Sequence, residues 1–274
     1  MLSMYILIIY ILIIYMIVAL GSDHIHNNKY CKKYKDGRFE NLSKILNTIK
    51  RELKKLGVEI VRPKKSAELC RSLWLRDTFV NINNKLYLLP KSYSNYRRPE
   101  EELKTLNLDG HMLDLYMDGG DLIQENNNIF LGIGKRTDIS AYNGLKEKFP
   151  KKNIIKINHT ALHLDCCFCV LPKKNIVYST RYIKSLPTAI RREYNVRTVE
   201  EFIGNSVNSN LATNVLIIKN TLLAIDMKKF SKLYDYFESL GLNVVTIPYY
   251  NLWKDGGGIR CLTQWIDKSK LRII

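Results

Sequence analysis

The sequence predicts an α/β fold built from repeated units, on three observations. A helix–turn–strand pattern occurs three times along the chain. Strand and helix signals alternate after residue 22 without a long linker or low-complexity tract. Of 274 residues, 46% are hydrophobic, enough for one substantial core.

The clearest unit is ENLSKILNTIKRELKKLGVEIVRP, residues 40–63. Leu42, Ile45, Leu46, Ile49, Leu53 and Leu56 fall at helical spacing, and Gly57 stands where a helix ends. VEIV then alternates as a strand does, and Pro63 stops it. A second copy is FSKLYDYFESLGLNVVTIP, with Leu233, Phe237 and Leu240 on the apolar face and Gly241 at the helix end. A third, weaker copy is YNGLKEKFPKKNIIKIN, whose strand covers Ile154 to Ile157. Further strands are expected at 85–90, 128–134, 168–172 and in the pair NVLIIKN and TLLAID at 214–226. The short connection KNT suits a hairpin.

The residues C-terminal to each unit bear on function. Asp77 stands 20 residues after Gly57, and Cys261 stands 20 residues after Gly241. The third unit leads in the same way into HLDCCF, with His163 and Asp165. Repeats set about a common axis would bring these residues to one point.

The first 22 residues carry no charge, and about 20 apolar residues suffice to cross a bilayer. The segment has three readings. It is a membrane anchor, a signal peptide cleaved near Ala19 and Gly21, or partly the first strand, beginning at Met16 in MIVALGSDHI. Lys29, Lys32, Lys33 and Lys35 would hold the C-terminal side of an anchor in the cytoplasm. The expected organisation is therefore a hydrophobic segment at 1–22 and a catalytic domain at 23–274. The expected location is the cytoplasm, or a membrane with the catalytic domain on its cytoplasmic side.

Net charge is +17, yet the basic residues are mostly lysines spread along the chain, so no nucleic-acid partner is expected. The six cysteines are Cys31, Cys70, Cys166, Cys167, Cys169 and Cys261. CCFC at 166–169 is read as small apolar residues of a buried strand, and neither a metal site nor a disulfide framework is expected.

The groups able to do chemistry are Asp77, the turn DGGD from Asp118 to Asp121, Arg136 in GKRTD, His163, Asp165 and Cys261. Singly, each has an ordinary structural reading: an ion pair, a turn, a buried histidine, an inert thiol. Together they suit a guanidinium. Carboxylates hold such a planar cation through charge-assisted bidentate hydrogen bonds. A thiolate can attack its carbon, and a histidine can protonate the leaving amine and then deprotonate water. The glycines of GGGIRCLT let backbone approach a flat substrate without side-chain collision.

DGGD…IFLGIGKRTD, HLDCCF and GGGIRCLT, with LWLRDTFV before them, resemble in order the motifs of the guanidine-modifying, or pentein, superfamily. Its members include arginine deiminases, dimethylarginine dimethylaminohydrolases and amidinotransferases. The resemblance implies a five-bladed α/β propeller of ββαβ units with pseudo-fivefold symmetry. It implies Cys261 as nucleophile and His163 as acid and base, with Asp118 and Asp165 gripping the guanidinium. It makes Asp77 a further substrate-binding carboxylate and Arg136 the partner of a substrate α-carboxylate. No metal or organic cofactor is implied. The chain departs from arginine deiminases at Asp118, where they carry Glu, at Arg71, where they carry Asn, and in lacking room for their extra helical domain.

The function expected is cysteine-dependent hydrolysis of the guanidino group of arginine or a derivative through a covalent amidino-cysteine. Its partner is a small guanidino substrate. Amidinotransferases share the intermediate but tend to lack the GGD turn. An amidinotransferase, or an inert binding protein on the same scaffold, is the alternative.

Overall fold

The computed structural model describes residues 16–22, 39–64, 72–90, 99–205 and 209–267. Residues 1–15, the lysines at 29–35, Cys31, Cys70 and Arg71 lie outside the described residues.

Strand β1 (Met16–Leu20) is followed by helix α1 (Leu42–Lys55) and β2 (Glu59–Val61). The next unit is β3 (Phe79–Ile82), β4 (Lys85–Leu88), α2 (Pro99–Leu106) and β5 (His111–Met112). Then come β6 (Leu122–Glu125), β7 (Asn128–Ile133), α3 (Ile139–Lys148) and β8 (Asn153–Asn158). A fourth unit is β9 (Phe168–Leu171), β10 (Asn175–Tyr178), α4 (Thr188–Glu193) and β11 (Asn195–Thr198). After α5 (Glu200–Ile203), the fifth is β12 (Leu216–Ile218), β13 (Thr221–Ile225), α6 (Ser231–Ser239) and β14 (Asn243–Ile247), and β15 (Thr263–Asp267) ends the described chain.

These strands form five three-stranded sheets, each with an antiparallel pair and a parallel third strand. The parallel partner follows a helix because parallel neighbours need a crossover connection. One sheet joins the two ends of the described chain: β15 pairs antiparallel with β1, Met16 opposite Asp267, and β1 pairs parallel with β2. The end of the apolar N-terminal segment is thus a central strand, with Ile17, Val18, Ala19 and Leu20 all buried. Among the described residues no helix is long and apolar enough to cross a membrane.

Helix α1 shows why the units form. Leu42, Ile45, Leu46, Ile49 and Leu53 make one buried stripe, and Lys54 and Lys55 sit in the last turn, where the helix dipole favours cations. Gly57 then takes φ +73°, a left-handed turn that costs glycine least. The two units that sequence periodicity misses have short helices, α2 and α4, and a two-residue strand, β5, too little chain to show a period.

One reading is corrected. Cys166 and Cys167 are buried but not in a strand: Cys166 closes a 3-10 turn at Leu164–Cys166, and Cys167 N–H donates to Leu164 O at 2.9 Å before β9 begins. Local turn bonding outranks the apolar pattern there.

The first strands of four units, β3, β6, β9 and β12, together with β15, line a shared cavity of about 720 Å³. Asn81, Gln124, Leu171, Ile217 and Trp265 are their respective contributions.

Candidate active site

Each of the five cavity-lining strands is preceded by a tight turn. Leu75–Asp77 precedes β3, Gly119–Asp121 precedes β6, Leu164–Cys166 precedes β9 and Ser209–Leu211 leads toward β12. Before β15, Leu262 N–H donates to Ile259 O at 3.2 Å. In or beside these turns stand Asp77, Asp118, His163, Asp165, Asn214 and Cys261, all buried.

His163 lies between two carboxylates. Its Nε2 is 2.9 Å from Asp118 Oδ2, and its Nδ1 is 3.5 Å from Asp77 Oδ1. Burial by itself opposes a charged imidazole, but Asp77 and the hydrogen bond to Asp118 outweigh it and raise the histidine to about 10. His163 is therefore a cation at neutral pH with both ring N–H groups directed at carboxylates. Arg136 Nη1 stands 3.9 Å from the same Asp118 Oδ2 and is a quarter exposed, at the open edge of the site.

Cys261 has a separate set of neighbours. Its Sγ is 3.9 Å from both carboxylate oxygens of Asp165. Asn214 Nδ2 is 3.1 Å from the sulfur, and Asn214 Oδ1 accepts the Cys261 backbone N–H at 3.2 Å. Arg260 Nε stands 3.9 Å from Asp165 Oδ2. Burial pushes the Asp165 carboxyl up, against the pull of His163, Arg260 and Arg76. Cys166 Sγ is 3.5 Å from Asp165 Oδ1; its hydrogen bond to Cys261, and then burial, hold it far above the usual thiol range. Burial does the same to Cys167 and raises Cys169 to about 12, so both stay protonated and inert.

The glycines before Cys261 answer to space. A Cβ on Gly257 would lie 2.4 Å from Trp74 Cζ3, and one on Gly258 would lie 2.6 Å from Asn214 Oδ1. Gly256 adopts φ +91°. The run lets the chain turn beneath Trp74 and reach Asn214, whose side chain then holds the cysteine.

Asp121, at the end of the DGGD turn, works behind the site. It accepts Leu164 N–H at 2.7 Å, Thr137 Oγ1–H at 2.6 Å and lies 3.0 Å from His159 Nε2. Thr137 Oγ1 in turn accepts Asp118 N–H at 3.2 Å. The network ties the loop bearing Asp118 to the loop bearing His163 and Asp165. Asp77, Asp118 and His163, and likewise His163, Asp165 and Cys166, bring ligand-type atoms within 4.8 Å of one another, but a protonated imidazole has no lone pair to give a metal ion.

All six residues expected from the sequence are thus in this region. Asp77, Asp118 and Arg136 gather around His163 or its partner, and Asp165 contacts Cys261. Residues 67–215, more than half of the chain, match the arginine deiminase family. The chain belongs to that family. A curated relative of this arginine deiminase family member is the uncharacterised protein YkgA of Bacillus subtilis (strain 168), 30% identical over 157 residues, or 56% of this chain. The match spans about half of that relative's length, 53%.

Solved structures share the family fold, all from the pentein superfamily. An amidinotransferase of saxitoxin biosynthesis from Microseira wollei, SxtG, is 15% identical, with TM-score 0.75 over 94% of this chain and 96% of its own. The N-terminal domain of ArgZ, a cyanobacterial arginine dihydrolase, is 19% identical, with TM-score 0.69 over 92% and 97%. DDAH from Pseudomonas aeruginosa, in complex with citrulline, is 14% identical, with TM-score 0.72 over 92% and 98%. At these identities the likeness is one of fold.

Asn214, Arg260 and His159 are not legible as site residues in the sequence. Asn214 stands before β12 as Asp165 stands before β9, a signal visible only once the unit containing β12 is recognised as a repeat. Arg260 and His159 carry no signal, because pairing with Asp165 and Asp121 depends on loops distant in sequence.

Proposed function

We propose that the chain is a cysteine-dependent hydrolase of the guanidino group of arginine or an arginine derivative. The observation that carries this reading is the Cys261 sulfur 3.9 Å from both Asp165 oxygens, with His163 2.9 Å from Asp118 and 3.5 Å from Asp77. A guanidinium gripped by Asp165 and Asp118 would present its carbon to Cys261, with Asp77 as a further carboxylate and Arg136 meeting an α-carboxylate at the open edge.

In this scheme the Cys261 thiolate attacks the guanidinium carbon and a C–S bond forms. His163 gives its proton to the departing amine as the C–N bond breaks, leaving an amidino-cysteine. Water then attacks the same carbon, His163 takes its proton, and the C–S bond breaks to release a ureido product and restore the thiolate. The chain's own side chains supply every group these steps use.

We take the five sheets to be blades of a propeller about an axis through the shared cavity, which the contribution of one strand from each sheet supports. The catalytic domain on this reading includes the described residues from Met16 onward.

Incubation with arginine, methylarginines and agmatine, followed by colorimetric detection of ureido product, tests the function. Ureido product with release of ammonia or methylamine is expected. Turnover only in the presence of an amine acceptor would make the protein an amidinotransferase, and no turnover of any guanidine would sink the enzymatic reading.

A further inference from the structure

The cavity shared by the five sheets is chemically unlike the site above. Its lining includes none of Asp77, Asp118, His163, Asp165 or Cys261, and it runs along the strands to the hairpin turns at Asn83, Asn126 and Pro172. Among the described residues, three cationic side chains line it, Arg76, Arg260 and Lys152, against one carboxylate, Glu125. That carboxylate is already engaged: Oε2 accepts from Tyr194 OH at 2.7 Å and Oε1 from Asn126 Nδ2 at 2.9 Å.

The two arginines occupy related positions, each immediately before a residue of the candidate active site, Asp77 and Cys261. Both arginines line the cavity, while Asp77 and Cys261 do not. Arg76 is 4% exposed. Its Nη1 donates to Gln264 Oε1 at 2.7 Å, but its Nη2 is buried and has no hydrogen-bond partner among the described residues. The Arg260 Nε also has no hydrogen bond among the described residues, its ion-pair partner Asp165 Oδ2 standing 3.9 Å away. The anionic groups acting on Arg76 from the other side are Asp165, Cys261 and Asp77, all residues of the candidate active site. Burial, and then the charge of Arg260, depress Arg76 to about 9, against the pull of Asp165, Cys261 and Asp77.

We propose that this cavity is a second ligand site, which binds a small molecule bearing a phosphate or carboxylate group through Arg76 and Arg260. A guanidinium fork matches either oxyanion bidentately, and buried donors left unmet by protein are the groups such a ligand satisfies. Lys152, at the hairpin end, adds charge along the entry. The proposal does not rest on the hydrolase reading, because its readout is binding.

The full-length protein is titrated with inorganic phosphate and separately with succinate, at ionic strength held constant with chloride. Calorimetry and the fluorescence of Trp265, which lines the cavity, report binding. Saturable one-to-one binding is expected, with the tighter probe showing which oxyanion the site prefers. Arg260→Gln should weaken binding about tenfold or more. Lys152→Glu, a change near the surface that leaves the core intact, should also weaken it. No saturable binding of either probe overturns the proposal, as does unchanged affinity in the folded Lys152→Glu protein or in Arg260→Gln.

Discussion

Asn214 grips Cys261 from two sides: its Nδ2 lies 3.1 Å from the sulfur and its Oδ1 accepts the cysteine's backbone N–H at 3.2 Å. The grip depends on Gly258, where a Cβ would fall 2.6 Å from Asn214 Oδ1. Gly258→Ala is therefore expected to displace Asn214 and lower kcat by about tenfold or more, since a misplaced nucleophile loses its attack geometry. Steady-state kinetics on arginine or the best guanidine substrate, with a melt to show that the fold persists, checks this. Unchanged kcat would remove Asn214 from its positioning role.

Cys261→Ala and Cys261→Ser should abolish turnover while leaving the fold and substrate binding largely intact, because a hydroxyl lacks a thiolate's nucleophilicity. Cys167→Ala should retain activity, since that buried thiol stays protonated and donates only to backbone carbonyls. An active Cys261→Ala protein, or equal losses at both positions, contradicts the assignment.

Arg136 stands at the open edge, 3.9 Å from Asp118. Arg136→Ala is expected to raise KM for arginine by roughly 10- to 100-fold, the loss of one charged hydrogen-bond partner. Agmatine, which has no carboxylate, should be affected much less. Comparing the two substrates in parallel decides the point, and equal losses would give Arg136 another task.

The pair of carboxylates around His163 predicts a pH dependence of stability. The folded-state value, about 10, lies above the ordinary 6.5 of a histidine, so protonated His163 stabilises the fold fully below pH of about 6.5. That contribution is lost as pH rises through the folded value. The Tm of the protein should therefore fall more steeply between about pH 7 and pH 10 than that of His163→Gln, measured by thermal melts in matched buffers. Parallel slopes would mean that His163 is neutral in the folded state.

Strand β1 buries Ile17, Val18, Ala19 and Leu20 completely between β15 and β2. Each of the larger side chains contributes roughly 1.5–3 kcal/mol, against a total stability of about 5–15 kcal/mol. A chain beginning at Met16 should thus remain folded, and one beginning at residue 23 should unfold or melt far lower. Equal melting temperatures would show that β1 contributes nothing.

Local pattern alone carried much of this protein. The stripe in α1, the glycines after α1 and α6, the hairpin at 219–221 and the candidate residues Asp77, Asp118, His163, Asp165 and Cys261 were legible because each stands in a short run of adjacent residues. Helical period, turn propensity and side-chain type are short-range properties. Tertiary structure decided the rest. Met16–Leu20 has the same apolar composition whether it crosses a bilayer or lies between two strands, and only its pairing with a segment at the far end of the chain, Met16 opposite Asp267, makes it a strand. Cys166 reads as core until a 3-10 turn sets it against Asp165 and Cys261. Asn214, Arg76 and Arg260 are ordinary polar residues in sequence. Their partners come from other units of the fold, and a contact between distant segments exists only once packing has brought their turns together.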